Sequence, residues 1–155
     1  MNGNDIVFVN DTPPKDYTEQ GYLIVNVYAA RGAIPIEDAL VTISYQDSSL
    51  PSPHAVLQTN KSGTTPKISL PAPPRTLSLS PQNGETNLLP PLPYALYNIE
   101  IVKEGFYPVV DIGVKVFSGI TAIQNTDLIP RSQALPGTFY TDDKIYIDES
   151  GGNDL

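Results

Sequence analysis

The chain has 155 residues, no Cys, no Trp, 16 Pro and a formal net charge of −8. One domain of ordinary size is expected at this length, with enough buried surface to fold without a metal or a disulfide. The missing Cys excludes a disulfide framework, a thiolate metal site and a cysteine nucleophile.

The acidity is concentrated at the two ends. Lys15 stands against Asp5, Asp11, Asp16 and Glu19 at one end, and Lys144 against Asp142, Asp143, Asp148, Glu149 and Asp154 at the other, so the body between them is nearly neutral. Nucleic acid and anionic membrane surfaces are therefore not expected partners, because both need clustered Lys and Arg. No apolar run approaches the roughly 18 residues of a membrane span. The opening Met1-Asn2-Gly3-Asn4-Asp5 has neither the basic nor the apolar region of a secretory signal. The expectation is a chain with no signal peptide and no transmembrane segment, whose compartment the composition does not give.

In chain order, residues 1–20 read as a tail or edge segment, with Ile6-Val7-Phe8-Val9 as a short strand broken by Pro13-Pro14. Gly21 opens the first convincing strand, in which Leu23, Val25, Val27 and Ala29 alternate on one face. Tyr22, Ile24 and Tyr28 share the opposite face. Ala39–Tyr45 is a second strand, Ala55–Thr59 a third and Lys67–Leu70 a fourth, with a turn at Asn60–Gly63 before the last. Residues 71–93 read as a long Pro-rich loop that includes Leu88 and Leu89, extended and poor in internal hydrogen bonds. Pattern resumes at Tyr94 with Tyr97, Ile99 and Ile101, then Tyr107–Phe117 as a strand or strand pair, then Ile120–Leu128. The polar stretch from Arg131 holds one apolar island, Ile145-Tyr146-Ile147, which either docks as an edge strand or stays loose.

No useful window shows helical spacing of apolar residues. The fold expected is all-β: a single antiparallel Greek-key β-sandwich of about seven strands over 21–130, transthyretin-like, between an N-terminal tail (1–20) and a flexible acidic C-terminal tail or linker (131–155).

Five segments in order resemble the carboxypeptidase-regulatory-like repeat. They are Gly21-Tyr22-Leu23-Ile24-Val25, Ala33–Val41, Gln58–Gly63, Tyr97–Ile101 and Glu104-Gly105-Phe106-Tyr107-Pro108. Pro93–Tyr97, Gly105–Pro108 and Val114–Gln124 also look like the non-catalytic N-terminal domain of clostridial spore cortex-lytic enzymes. That resemblance implies an accessory module beside a peptidoglycan-cleaving domain, with a protein or peptidoglycan partner and a place at the spore or cell envelope.

The residues themselves carry little chemistry. His54 is the only His and lies between Pro53 and Ala55, where it reads as a surface residue. A triad would need a nucleophile and an orienting acid around it, and no Gly-x-Ser-x-Gly elbow exists. One His without Cys makes zinc improbable, and the Asp142–Glu149 acids lack the spacing of a calcium loop. An isopeptide cross-link would need a Lys on the first strand, and Tyr22–Ala29 has none. No catalytic residue, metal or cofactor is therefore expected.

The expected function is a non-catalytic binding module. Its contacts are expected at Tyr22, Ile24 and Tyr28 on the first strand, unless the terminal segments or a neighbouring strand cover that face, and at Leu88, Leu89 and Tyr94 on the loop and its exit. A structural spacer or assembly unit of a surface structure is the alternative, and a peptidoglycan hydrolase a remote one.

Overall fold

The computed structural model describes residues 5–10, 12–47, 53–76, 92–131 and 144–149. Ten strands occupy them: β1 (Val7–Phe8), β2 (Glu19–Ala29), β3 (Ile34–Pro35), β4 (Leu40–Tyr45), β5 (Ala55–Gln58), β6 (Ile68–Ala72), β7 (Ala95–Val102), β8 (Val109–Val116), β9 (Thr121–Leu128) and β10 (Ile145–Asp148). They form an all-β sandwich. The larger sheet has the order β1-β5-β4-β7-β8-β10. In the smaller sheet β2 pairs with β6 and β3 along one edge and with β9 along the other.

Alternation explains the core. On β2 the inward residues Leu23, Val25 and Val27 are fully buried, and they meet Val41, Ile43, Tyr97, Ile99 and Ile101 of the larger sheet in one cluster. Each inward position removes a branched aliphatic or aromatic side chain from water, at roughly 1.5–3 kcal/mol apiece. The Pro-rich stretch begins later than its composition suggests. Pro71 and Ala72 belong to β6, where Pro71 opposes Gln20 and both are buried. A Pro is tolerated there because β6 has a partner on one side only.

The sandwich differs from the expected one in two respects. The described residues form ten strands rather than about seven, because short strands from both terminal segments add to the larger sheet and Ile34–Pro35, in the segment after Ala29, adds β3 to the smaller one. β1 pairs antiparallel with β5, and β10 pairs with β8. It is also not purely antiparallel, since β2–β9 and β8–β10 are parallel pairs. Parallel partners must be far apart in sequence, so local pattern carries no trace of them. Lys144, just before β10, forms an ion pair with Glu100 at 2.6 Å.

A bulge in β8 has the largest consequence for side-chain placement. Opposite β7 the register shifts between Tyr97↔Val114 and Ile99↔Asp111, and Gly113 there takes a φ of 76°. Asn98 Oδ1 accepts the Gly113 N–H at 3.1 Å. One extra residue on one strand reverses which positions face inward. Val109 and Asp111 before the bulge, and Val114 and Val116 after it, therefore all point into the sandwich.

His54 is buried, not on the surface: it is 1% exposed. The N-terminal segment crosses it, with the Val9 and Asn10 N–H groups donating to its carbonyl and its Nδ1 lying 2.6 Å from the Asn10 carbonyl. Its ring is 5.1 Å from Tyr45 and 5.6 Å from Phe8, and Tyr45 in turn is 5.2 Å from Tyr97. Tyr97 donates its hydroxyl to the Pro71 carbonyl at 2.5 Å. Burial pushes the Tyr97 phenol far up, so it stays a neutral donor.

Gly21 lies inside β2 rather than at its start. A Cβ there would stand 2.4 Å from the Phe117 carbonyl oxygen and 2.5 Å from Val116. The close approach joins the smaller sheet to the end of β8. Gly21→Ala should therefore lower stability by at least about 2 kcal/mol through overpacking against backbone, measured as a drop in the denaturant midpoint.

Candidate binding face and end cleft

The outer face of β2 is where sequence reasoning placed Tyr22, Ile24 and Tyr28, and the structure keeps the three in one row, each half-buried. Parallel pairing sets β9 beside them in register: Tyr22 by Thr121, Ile24 by Ile123, Asn26 by Asn125, Tyr28 by Asp127. Ile123 is 61% exposed. At the centre of the row Thr64 donates to Asn26 Oδ1 at 2.9 Å, and Asn26 Nδ2 donates to Asn125 Oδ1 at 2.9 Å. This chain fixes the Asn125 amide with its NH2 toward solvent as a donor. Lys67 Nζ caps the Tyr22 ring at 5.1 Å from its centre. The face thus alternates apolar and amide positions, a pattern that can hold a ligand with apolar faces and hydroxyl edges.

The other expected contact residues do not join this row. Tyr94 lies at the outer face of the larger sheet, 5.3 Å from the Phe117 ring and 5.0 Å from Lys115 Nζ. Leu88 and Leu89 fall outside the described residues. Sequence reasoning missed Ile123 and Asn125, because nothing local says that β9 is the in-register neighbour of β2.

A second feature lies at the end of β2. Ala30, Arg31 and Gly32 follow one another with φ of 53°, 58° and 84°. Two successive non-glycine residues in the left-handed region carry steric strain. The turn is held by the Ala33 N–H donating to the Ala30 carbonyl at 3.3 Å, and by the Gly32 N–H donating to Asp127 Oδ1 at 3.0 Å. Beside it is a cleft of about 570 Å3 between this hairpin, the end of β9 and the Phe106 corner. Its floor includes buried Ala29, Ile36 and Leu128, while Ile34 (53%) and Ile129 (42%) stand exposed at its rim. Phe106 is fixed by an isolated bridge to Pro130 and by the Tyr107 N–H donating to the Ile129 carbonyl at 2.9 Å.

The third feature is a buried acid. Asp111, turned inward by the β8 bulge, is fully buried; Thr126 of β9 donates its hydroxyl to Oδ2, and Oδ1 has no hydrogen-bond partner among the described residues. Burial pushes its pKa up to about 6; the Thr126 hydrogen bond pulls it down and the nearby Glu149 carboxylate pushes it up again. Asp111 joins β8 to β9 across the seam between the sheets. Among the described residues no three His, Cys, Asp or Glu side chains gather as metal ligands would. No helix among them is long and apolar enough to cross a membrane.

Two expected outcomes follow from the turn and the acid. Ala30→Gly should raise stability by about 0.5–1 kcal/mol, since glycine adopts this φ without the left-handed penalty but loses more chain entropy; equilibrium unfolding at unchanged m-value measures it. Asp111 has a raised pKa in the folded state, so its contribution to stability is full below about pH 4 and is lost as pH rises through about 6. Asp111→Asn should match the wild type near about pH 4 and exceed it by on the order of 2 kcal/mol near about pH 8. Parallel melting curves with no pH-dependent gap between the two proteins would contradict this account.

No protein-family model and no curated protein matches the chain. Among solved structures it is similar to the Bacillus anthracis TIE protein at 12% identity and a TM-score of 0.44, over 72% of this chain and 17% of that one. It is similar to catechol 1,2-dioxygenase from Acinetobacter sp. ADP1 at 10% identity and a TM-score of 0.49, over 89% of this chain and 60% of that one. The 3-chlorocatechol 1,2-dioxygenase of Rhodococcus opacus 1CP aligns at 13% identity and a TM-score of 0.43, over 75% of this chain and 62% of that one. The chain thus spans less than two thirds of the length of each. Likeness at this level brings neither an activity nor a ligand to this chain.

Proposed function

We propose that the chain is a non-catalytic binding module of the carboxypeptidase-regulatory-like kind, which attaches to peptidoglycan at the spore or cell envelope through the outer face of β2 and β9. One observation carries this reading: Ile24, Tyr28 and exposed Ile123 flank the Asn26–Asn125 amide pair on one regular sheet face. A sugar strand presents apolar ring faces and hydroxyl edges, which such a row of apolar side chains and amide donors can match. The order of motifs from Gly21 to Pro108 supports the same family. The non-catalytic reading is supported by the commitment of the buried titratable groups to structure. His54 Nδ1 is taken by a backbone carbonyl and Asp111 Oδ2 by the Thr126 hydroxyl.

Co-sedimentation of the purified chain with insoluble cortex and vegetative peptidoglycan tests the proposal. Pelleting should survive moderate salt, because the face is not built on ion pairs. Tyr28→Ala combined with Ile123→Ser should weaken pelleting by about tenfold, in line with loss of a central aromatic contact, with little loss of stability. Absence of pelleting, or an undiminished signal in the double variant, would remove this face from the account.

A further inference from the structure

The cleft beside the β2–β3 turn has features that folding alone does not require. Its floor is apolar, yet Ile34 and Ile129 stand more than a third exposed around it. Its volume of about 570 Å3 lies inside the range of small-molecule sites. Strained backbone forms one wall, at Ala30 and Arg31, where a glycine pair would have closed the same turn without the left-handed steric penalty. Arg31 lines the cleft, is the only cation among its described lining residues, and has no ion pair or hydrogen bond from its guanidinium to any described residue. In a chain of net charge −8, an unpaired guanidinium at an apolar opening is a specific resource for recognition.

Asp127 lines the same cleft and narrows the choice of ligand. Its Oδ1 accepts the Gly32 N–H, which holds the carboxylate beside the opening. A ligand carrying two or more negative charges, such as a phosphate, would be repelled by it. Arg31 and Asp127 offset one another, so a single carboxylate on Arg31 adds one net negative charge to the cleft where a phosphate dianion would add two.

We propose that this cleft binds a small amphipathic monocarboxylate, with an aliphatic or aromatic body against Ala29, Ile36 and Leu128 and its carboxylate on the Arg31 guanidinium. The proposal is independent of the envelope-binding face and of its peptidoglycan ligand.

The test is a titration of the full chain, followed by backbone amide NMR shifts, with N-acetyl-phenylalanine and N-acetyl-leucine, their carboxamides, and phenyl phosphate. The free acids should produce saturable shifts at Ala29, Gly32, Ile34, Phe106 and Leu128. The carboxamides and phenyl phosphate should bind at least fivefold more weakly. Arg31→Gly keeps the turn, since glycine accepts this φ, and should abolish the preference for acid over amide while leaving co-sedimentation with peptidoglycan unchanged. No saturable cleft shifts up to about 10 mM, weaker than the usual range of specific sites, would overturn the proposal. Equal binding of acid and amide would do the same. Binding of phenyl phosphate as tight as that of the free acids, or tighter, would also overturn it and assign the cleft to a phosphorylated ligand.

Discussion

β2 carries hydrogen-bonded partners on both edges along most of its length and fully buried side chains on its inner face, and the smaller sheet exists only through it. β6 and β3 do not touch β9 in the ladder; each is placed by its register on β2. The same strand touches the end of β8 at Gly21, where no Cβ fits. One strand therefore fixes the spacing of the two sheets, the in-register neighbours of the outer face and the position of the turn that walls the cleft. A slip of one residue would exchange Leu23, Val25 and Val27 for Tyr22, Ile24 and Asn26 in the core.

The bulge at Gly113 is the second determinant. It lets one strand supply inward residues of both parities, so that the larger sheet buries Val109 as well as Val114 and Val116. The accompanying cost is Asp111, an acid in the seam with one oxygen unmatched. Thr126 offsets part of that cost, and protonation offsets more, which is why burial raises the pKa so far. The placement of the acid is thus explained by the geometry of the sheet and by the Thr126 hydrogen bond that ties β9 to β8.

The two surface features differ in physical character. The β2–β9 face is broad, regular and built from side chains that alternation must present outward. The end cleft is small, irregular and bounded by backbone in a sterically costly conformation. They share Asp127, whose in-register neighbour is Tyr28 on the face and whose Oδ1 holds the Gly32 amide at the cleft. A face suits an extended ligand held by many weak contacts, and a cleft suits a small one held by a few strong ones.

The amino-acid sequence by itself determined the strands and their faces. The period-2 runs of Leu23–Ala29, Ala39–Tyr45 and Tyr97–Ile101 are local facts, and side-chain alternation converts them directly into an inside and an outside. It likewise placed Tyr22, Ile24 and Tyr28 together in one row. Tertiary structure alone decided who pairs with whom. That Ile123 and Asn125 complete the row depends on a parallel pairing between segments almost a hundred residues apart. The burial of His54 depends on an N-terminal segment laid across it. The inward turn of Asp111 depends on a bulge whose only local sign is a glycine within a strand. The cleft depends on three separate segments meeting at one end of the sandwich. Each of these is set by long-range hydrogen bonding and packing, which a residue's immediate neighbours do not encode.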